Sequence, residues 1–280
     1  MNDKRTSDKH DTTRITFVGA GNMARSLING LIRSGHDPAG ICASDPSPEQ
    51  RKLIEALGVT TYAANVPAVA GADVIVAAVK PQVLRAVLTS LTNRDETQLL
   101  ISVAAGVPIG SLEAWTSAGQ PIVRCMPNTP ALLGVGVTAL YANTNVTADQ
   151  HATAHHILEA AGKVLWVSDE ADLDVVTAVS GSGPAYFFYL MEAMVEEAVE
   201  LGLERETALF LTLETAYGAA CMARNGDPSP ATLRGNVTSP GGTTERALSI
   251  LDSENVSGSV RLAVAGAARR AQELAEEFGD

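Results

Sequence analysis

Gly19 and Gly21, with Ala24 three residues further on, form the first spacing in this 280-residue chain that could do chemistry. The pair follows the β-branched run Arg14-Ile15-Thr16-Phe17-Val18 and precedes the helically spaced Leu27, Ile28, Leu31 and Ile32. In a strand–turn–helix context, Gly-x-Gly-x-x-Ala is a dinucleotide-binding fingerprint. Gly19 permits the tight turn, Gly21 lets the backbone approach a pyrophosphate, and Ala24 keeps the helix close to the strand. The free N–H groups and the positive end of the helix dipole then face the phosphates. Glycines also simply end strands, but the flanking pattern favours cofactor binding.

Other candidate positions fall at predicted strand ends. Asp45 lies about twenty residues beyond the glycine turn, where an acid binds adenosine ribose hydroxyls and repels a 2′-phosphate. An Asx turn before Pro46 explains it equally well. Arg51 and Lys52 are near enough in sequence to serve a phosphate. Val79-Lys80-Pro81 closes another strand, and Pro81 opens the next helix. Lys80 either touches cofactor ribose or phosphate or is a solvated loop lysine. The small residues of Ser102–Gly106 would admit a flat nicotinamide ring, and the prolines of Arg124–Pro130 stiffen a second loop.

Two glycine-rich segments, Ser180–Pro184 and Asn236–Glu245, each precede a helix. Small hydroxyl residues beside free helix N–H groups make a carboxylate cradle, although ordinary N-capping uses the same residues. Two such segments in one small domain, the second the denser, favour a substrate site. His151, His155 and His156 have a helical spacing that could bind a metal, but no acid or cysteine ligand accompanies them, and a solvated helix is expected instead.

The elements that must position these residues change character along the chain. Up to about residue 168, β-rich runs at 14–19, 41–45, 74–79, 99–104, 121–126, 137–142 and 163–167 alternate with helical stretches. The run 74–79 is apolar throughout, as a parallel strand covered on both faces should be. This alternation predicts a doubly wound α/β sheet with right-handed crossovers. Beyond residue 169 the pattern is helical, with helices expected over 184–202 and 205–224. Both are apolar on every side, so both should be buried. About 110 residues provide little interior for two such helices, and an inter-subunit core is expected. With 46 % hydrophobic residues the chain can bury a large core, and a net charge of −12 with no basic patch argues against nucleic acid. No apolar run is long enough for a membrane span. Three scattered cysteines suggest no disulfide framework. The polar first thirteen residues lack the apolar centre of a signal peptide, so a disordered tail on a cytoplasmic protein is expected.

The segments Val18–Ala24, Ala78–Pro81, Met126–Pro130, Ser180–Tyr186 and Val237–Thr244 together resemble the pyrroline-5-carboxylate reductases, in that family's order and across nearly the whole chain. The resemblance implies reduction of 1-pyrroline-5-carboxylate to L-proline, the last step of proline synthesis, with NADP or NAD as the coenzyme couple. It implies a tail over 1–13, a Rossmann domain over 14–168 and an all-α dimerisation and substrate domain over 169–280. It implies a homodimer through the helical domain, assembled further into a decamer. It places coenzyme contacts on Gly19, Ala20, Gly21, Asn22, Met23, Asn65, Val79, Lys80, Pro81, Ala105 and Asn236, with Asp45 where other members carry serine for the 2′-phosphate. Substrate contacts fall on Ser239, Gly241, Gly242, Thr243, Thr244 and Asp227. Ser239 and the backbone amides of Gly241 to Thr243 would hold the carboxylate. The Thr244 hydroxyl, the catalytic candidate, would reach the ring nitrogen. A β-hydroxyacid dehydrogenase would want a lysine on the long helix, and Ala185–Leu203 has none. A non-catalytic nucleotide sensor would not need the intact 237–244 loop. A serine hydrolase is excluded because Ser180, not glycine, stands two residues before Ser182.

Overall fold

The computed structural model describes residues 13–91, 95–117 and 119–279; the tail expected over 1–13 lies, Thr13 apart, outside them. The chain forms two compact units. The first holds the described residues up to Ser182 together with those from Ala267 onward, and the second is Gly183–Gly266.

The first unit is built on eight strands: β1 (Ile15–Val18), β2 (Ile41–Ser44), β3 (Thr60–Tyr62), β4 (Val74–Ala77), β5 (Leu99–Ser102), β6 (Ile122–Met126), β7 (Gly136–Ala142) and β8 (Gly162–Trp166). Their order is β3-β2-β1-β4-β5-β6-β7-β8. All pairings are parallel except β6–β7. The chain reverses direction across the sheet between β1 and β4, the switch point at which doubly wound sheets bind ligands. Alternation within β1 shows why both faces must be covered. Ile15 and Phe17 join a core with Leu27, Ile28 and Leu31, whereas Val18 joins Ile75, Leu84 and Leu100 on the opposite face.

Helices α1 (Asn22–Arg33), α2 (Pro48–Glu55), α3 (Asn65–Val69), α4 (Pro81–Ser90), α5 (Ile109–Trp115), α6 (Ala148–Glu159) and α7 (Asp172–Val176) connect the strands or follow them. Gly30 allows α1 to lie against the backbone of Ala160, where a β-carbon would collide. Strand β3 is absent from the expected runs. Its three residues, Thr-Thr-Tyr, lie at the sheet edge and are partly exposed, so they need no apolar pattern. A π-helical turn, Thr177–Gly181, continues α7 to the end of the first unit's main segment.

The second unit consists of α8 (Gly183–Glu200), α9 (Arg205–Asn225), α10 (Pro230–Asn236), α11 (Thr243–Ser253) and the start of α12 (Val256–Gly279). Within it Val195, Ala208 and Thr212 are buried. Much of the apolar surface of α8 and α9 is not: Phe187, Phe188, Tyr189, Phe210 and Tyr217 are each more than 60 % exposed. No described helix is long and apolar enough to cross a membrane.

Candidate active site

The carboxyl ends of β1, β2, β4 and β5 lie along one edge of the sheet, and five of the expected coenzyme segments lie there. Val18 ends β1, and the next residue, Gly19, takes φ +99° and donates its N–H to Ser44 O at 2.8 Å. A β-carbon at Gly19 would lie 2.6 Å from the carbonyl oxygen of Ala78 and 3.0 Å from Val79 Cγ1. The turn therefore depends on glycine because the end of β4 occupies the space. Gly21 is different: a β-carbon there would meet nothing within 4 Å. Gly21 is also the N-cap of α1 and offers no side chain to the first-turn N–H groups. An open cradle at a bare helix N-terminus is the arrangement that takes a pyrophosphate, so these residues fit a dinucleotide. Ala24, fully buried, holds α1 against the sheet.

Asp45 follows β2 and is half-buried. One carboxylate oxygen accepts the Ala20 N–H at 2.9 Å, and the other accepts the Ser47 N–H at 2.9 Å. The second contact is an Asx turn. The first ties the same side chain to the glycine loop, so both carboxylate oxygens are engaged by backbone N–H groups. Arg51 folds back and donates to the Asp45 carbonyl at 2.7 Å. Asn65 opens α3 and accepts the Ser44 hydroxyl at 2.8 Å. Val79 and Pro81 are partly buried where β4 gives way to α4, and Lys80 between them is exposed. Ala105 lies on the loop after β5. Gly19 to Met23, Asp45, Asn65, Val79 to Pro81 and Ala105 are thus brought together in the first unit.

Asn236, Asp227 and the 239–244 loop are in the second unit. Asn236 ends α10 and is exposed, and Asp227 is exposed between α9 and α10. The loop runs into α11, whose N-cap is Gly242, again without a side-chain cap. Thr243 and Thr244 occupy its first turn. Gly241 takes φ +71°, but its N–H is engaged by the Glu245 carboxylate at 2.7 Å. The Gly242 N–H donates to Ser239 O at 3.0 Å. The amides of Gly241 and Gly242, expected to face a substrate, therefore have internal partners here. Glu245 was not singled out in the sequence, although an acid three residues into a helix commonly reaches back to its N-terminus.

Arg124 and its acids were also not singled out. An arginine inside the apolar strand Ile-Val-Arg-Cys-Met was the available signal. Its side chain is 6 % exposed, 2.7 Å from Glu170 Oε1 and 3.7 Å from Asp174 Oδ1. Burial raises the Asp174 carboxyl above its ordinary range, with Arg124 opposing and Glu170 adding to the rise. Neighbouring Cys125 is buried and its thiol is held strongly protonated. Two of the three helical histidines are engaged by Trp166. His151 stacks on its ring at 3.5 Å, and His155 Nδ1 accepts the indole N–H at 3.3 Å.

Comparison with known proteins places this geometry in a family. Residues 170–274 match the family described as pyrroline-5-carboxylate reductase dimerisation. Residues 14–106 match that described as NADP oxidoreductase coenzyme F420-dependent. A pyrroline-5-carboxylate reductase from Pseudomonas aeruginosa is 52 % identical over 270 residues, covering 96 % of this chain and 99 % of its own. The structure of a pyrroline-5-carboxylate reductase from Coxiella burnetii superposes with a TM-score of 0.88 at 44 % identity, covering 94 % of this chain and 98 % of that one. The Plasmodium falciparum pyrroline carboxylate reductase with NADP bound superposes at 0.85 with 29 % identity, covering 95 % and 99 %. The chain therefore belongs to the pyrroline-5-carboxylate reductase family of oxidoreductases.

Proposed function

We propose that the chain reduces 1-pyrroline-5-carboxylate to L-proline, the closing step of proline synthesis, with the glycine edge of the first unit taking the coenzyme and the 239–244 loop taking the substrate. The observation that carries this is the N-terminus of α1, where Gly21 offers no side-chain cap and opens onto free space, an arrangement that suits a pyrophosphate. The coenzyme, when bound, supplies the hydride for the imine carbon.

An iminium is electrophilic without metal assistance, so the chain's task is to hold and orient. Gly19 to Met23 wrap the pyrophosphate. With a coenzyme bound, Asp45 would meet the adenosine ribose, Asn65, Val79 to Pro81 and Ala105 would make further coenzyme contacts, and Asn236 is another coenzyme candidate. Ser239 and the first-turn amides of α11 hold the substrate carboxylate, with Gly241, Gly242 and Thr243 shaping the loop. The Thr244 hydroxyl binds the ring nitrogen, and Asp227, where the family often has a carboxylate, is a further substrate contact. Both NADPH and NADH serve: the NADP-bound relative supports the first, and the Asp45 carboxylate supports the second.

The same reading makes 14–168 the dinucleotide-binding domain and 169–280 the substrate and dimerisation domain. A homodimer covers the exposed apolar faces of α8 and α9, dimers assemble further into a decamer, and the enzyme works in the cytoplasm. The test is oxidation of NADPH and of NADH, side by side, with pyrroline-5-carboxylate. Turnover with both supports the reading, and turnover with neither overturns it.

A further inference from the structure

The buried guanidinium of Arg124 links three segments of the first unit. It comes from β6, two residues before the strand ends at Met126. Its partner Glu170 uses the same Oε1 to accept the Ile109 N–H at 2.8 Å. Ile109 is the first residue of α5, and the preceding Pro108 gives that helix no side-chain cap. Glu170 therefore caps α5 from a distant part of the chain and fixes where the loop Val103–Pro108, with Ala105 and Gly106, is anchored. On the other side of Arg124, Asp174 belongs to α7, which runs directly into the π-helical turn Thr177–Gly181. That turn is held at the end of β6 as well. Asn128 Nδ2 donates to Ser180 O at 3.2 Å, its Oδ1 accepts the Val137 N–H at 2.9 Å, and Gly181 is packed against the Met126 side chain. π-Helical turns are often associated with functional sites.

In a doubly wound sheet the strand ends beyond the switch point, here β4, β5 and β6, face the nicotinamide half of a dinucleotide. We propose that Arg124 and Glu170 are positioning residues for hydride transfer. Their ion pair locks the β5–α5 loop, the end of β6 and the turn into the helical segment as one frame behind the nicotinamide. The inference rests on the reading that this chain is a reductase. It follows from the chemistry that reading requires. Because the imine carbon is itself electrophilic, rate depends on the placement of the reacting carbon atoms, and a shift of about 1 Å can cost about a hundredfold.

The experiment compares the full-length wild-type enzyme with Glu170→Ala, Glu170→Gln and Arg124→Lys. It uses pyrroline-5-carboxylate with ordinary and C4-deuterated reduced coenzyme. Glu170→Ala should lower kcat by about ten- to a hundredfold, raise the primary deuterium isotope effect on kcat, and leave coenzyme Kd and substrate KM nearly unchanged. Glu170→Gln keeps an acceptor for both Ile109 and Arg124 and should recover most of the loss. If Glu170→Ala does not fold, Arg124→Lys decides, since it keeps the charge and loses the fork that reaches both acids. It should stay folded and show the same fall in kcat with the same rise in isotope effect. Folded variants with wild-type kcat and isotope effect overturn the positioning role while the reductase reading stands. A wild-type chain that turns over no pyrroline-5-carboxylate overturns both.

Discussion

At the scale of single residues, Asp45 and Thr244 make separable claims. The Asp45 carboxylate accepts two backbone N–H groups, from Ala20 and Ser47, so serine there would lose about 1 kcal/mol of hydrogen bonding whichever coenzyme is used. A ratio of coenzyme efficiencies cancels that loss. Like charges at about 6 Å repel by roughly 0.7–3 kcal/mol at surface dielectrics. Asp45→Ser should therefore raise the NADPH/NADH ratio of kcat/KM by about three- to a hundredfold, and an unchanged ratio would mean that the carboxylate does not meet the ribose. Thr244 lies inside the first turn of α11, and the N-cap is Gly242, so a capping role does not account for its hydroxyl. A hydrogen bond to a charged ring nitrogen is worth roughly 1.5–3 kcal/mol. Thr244→Ala should lower kcat/KM by about ten- to a hundredfold, Thr244→Ser should keep most activity, and neither should move Tm. A destabilised alanine variant with wild-type kinetics would show that the residue serves the helix alone.

At the scale of elements, the glycine turn separates folding from binding. Gly19→Ala places a β-carbon against the Ala78 carbonyl at φ +99°, and the backbone conformation alone costs about 1–3 kcal/mol. It should lower Tm and weaken coenzyme binding together. Gly21→Ala has room in the folded chain, so thermal melting should barely change while coenzyme Kd rises; equal effects of the two substitutions on melting would contradict the geometry. Helix α7 gives a pH signature. The folded Asp174 carboxyl ionises less readily than the unfolded one, whose ordinary value is 3.8. Its cost to the fold is absent below that value and grows as pH rises toward the folded pKa. Urea midpoints of wild type and Asp174→Asn should therefore diverge in the variant's favour as pH rises from about 4, and a constant gap would refute this. The elements themselves were largely legible in the sequence. Apolar runs such as Val74–Ala77 announce buried parallel strands, and Gly-x-Gly-x-x-Ala announces the turn. What was not legible depends on tertiary partners. β3 is paired at an edge and carries no apolar signal. The remote cap from Glu170 to Ile109 spans 61 residues, and the Glu245 contact with Gly241 competes with the role expected of that amide.

At the scale of the whole molecule, the second unit does not fit a chain that acts alone. Its helices α8 and α9 bury Val195, Ala208 and Thr212 but leave Phe187 at 64 %, Tyr189 at 76 %, Phe210 at 63 % and Tyr217 at 70 % exposed. Soluble monomers rarely expose contiguous apolar patches beyond a few hundred Å². The net charge of −12 offers no compensation, because it acts at long range and is screened, whereas exposed aromatic surface associates on contact. A second copy of the chain brings the same apolar helices and can cover them by a self-complementary two-fold contact. Obligate interfaces of this kind bury about 2,000 Å² or more, so the pair should not separate on dilution. Light scattering should give twice the 29.1 kDa chain mass, or an even multiple of it, down to the lowest concentrations at which activity is measurable. Phe188→Asp and Tyr217→Asp, each placing a charge on this surface, should lower that mass and the activity together. A folded, active chain of single mass would show instead that α8 and α9 tolerate water, and that the dimer is not what their composition serves.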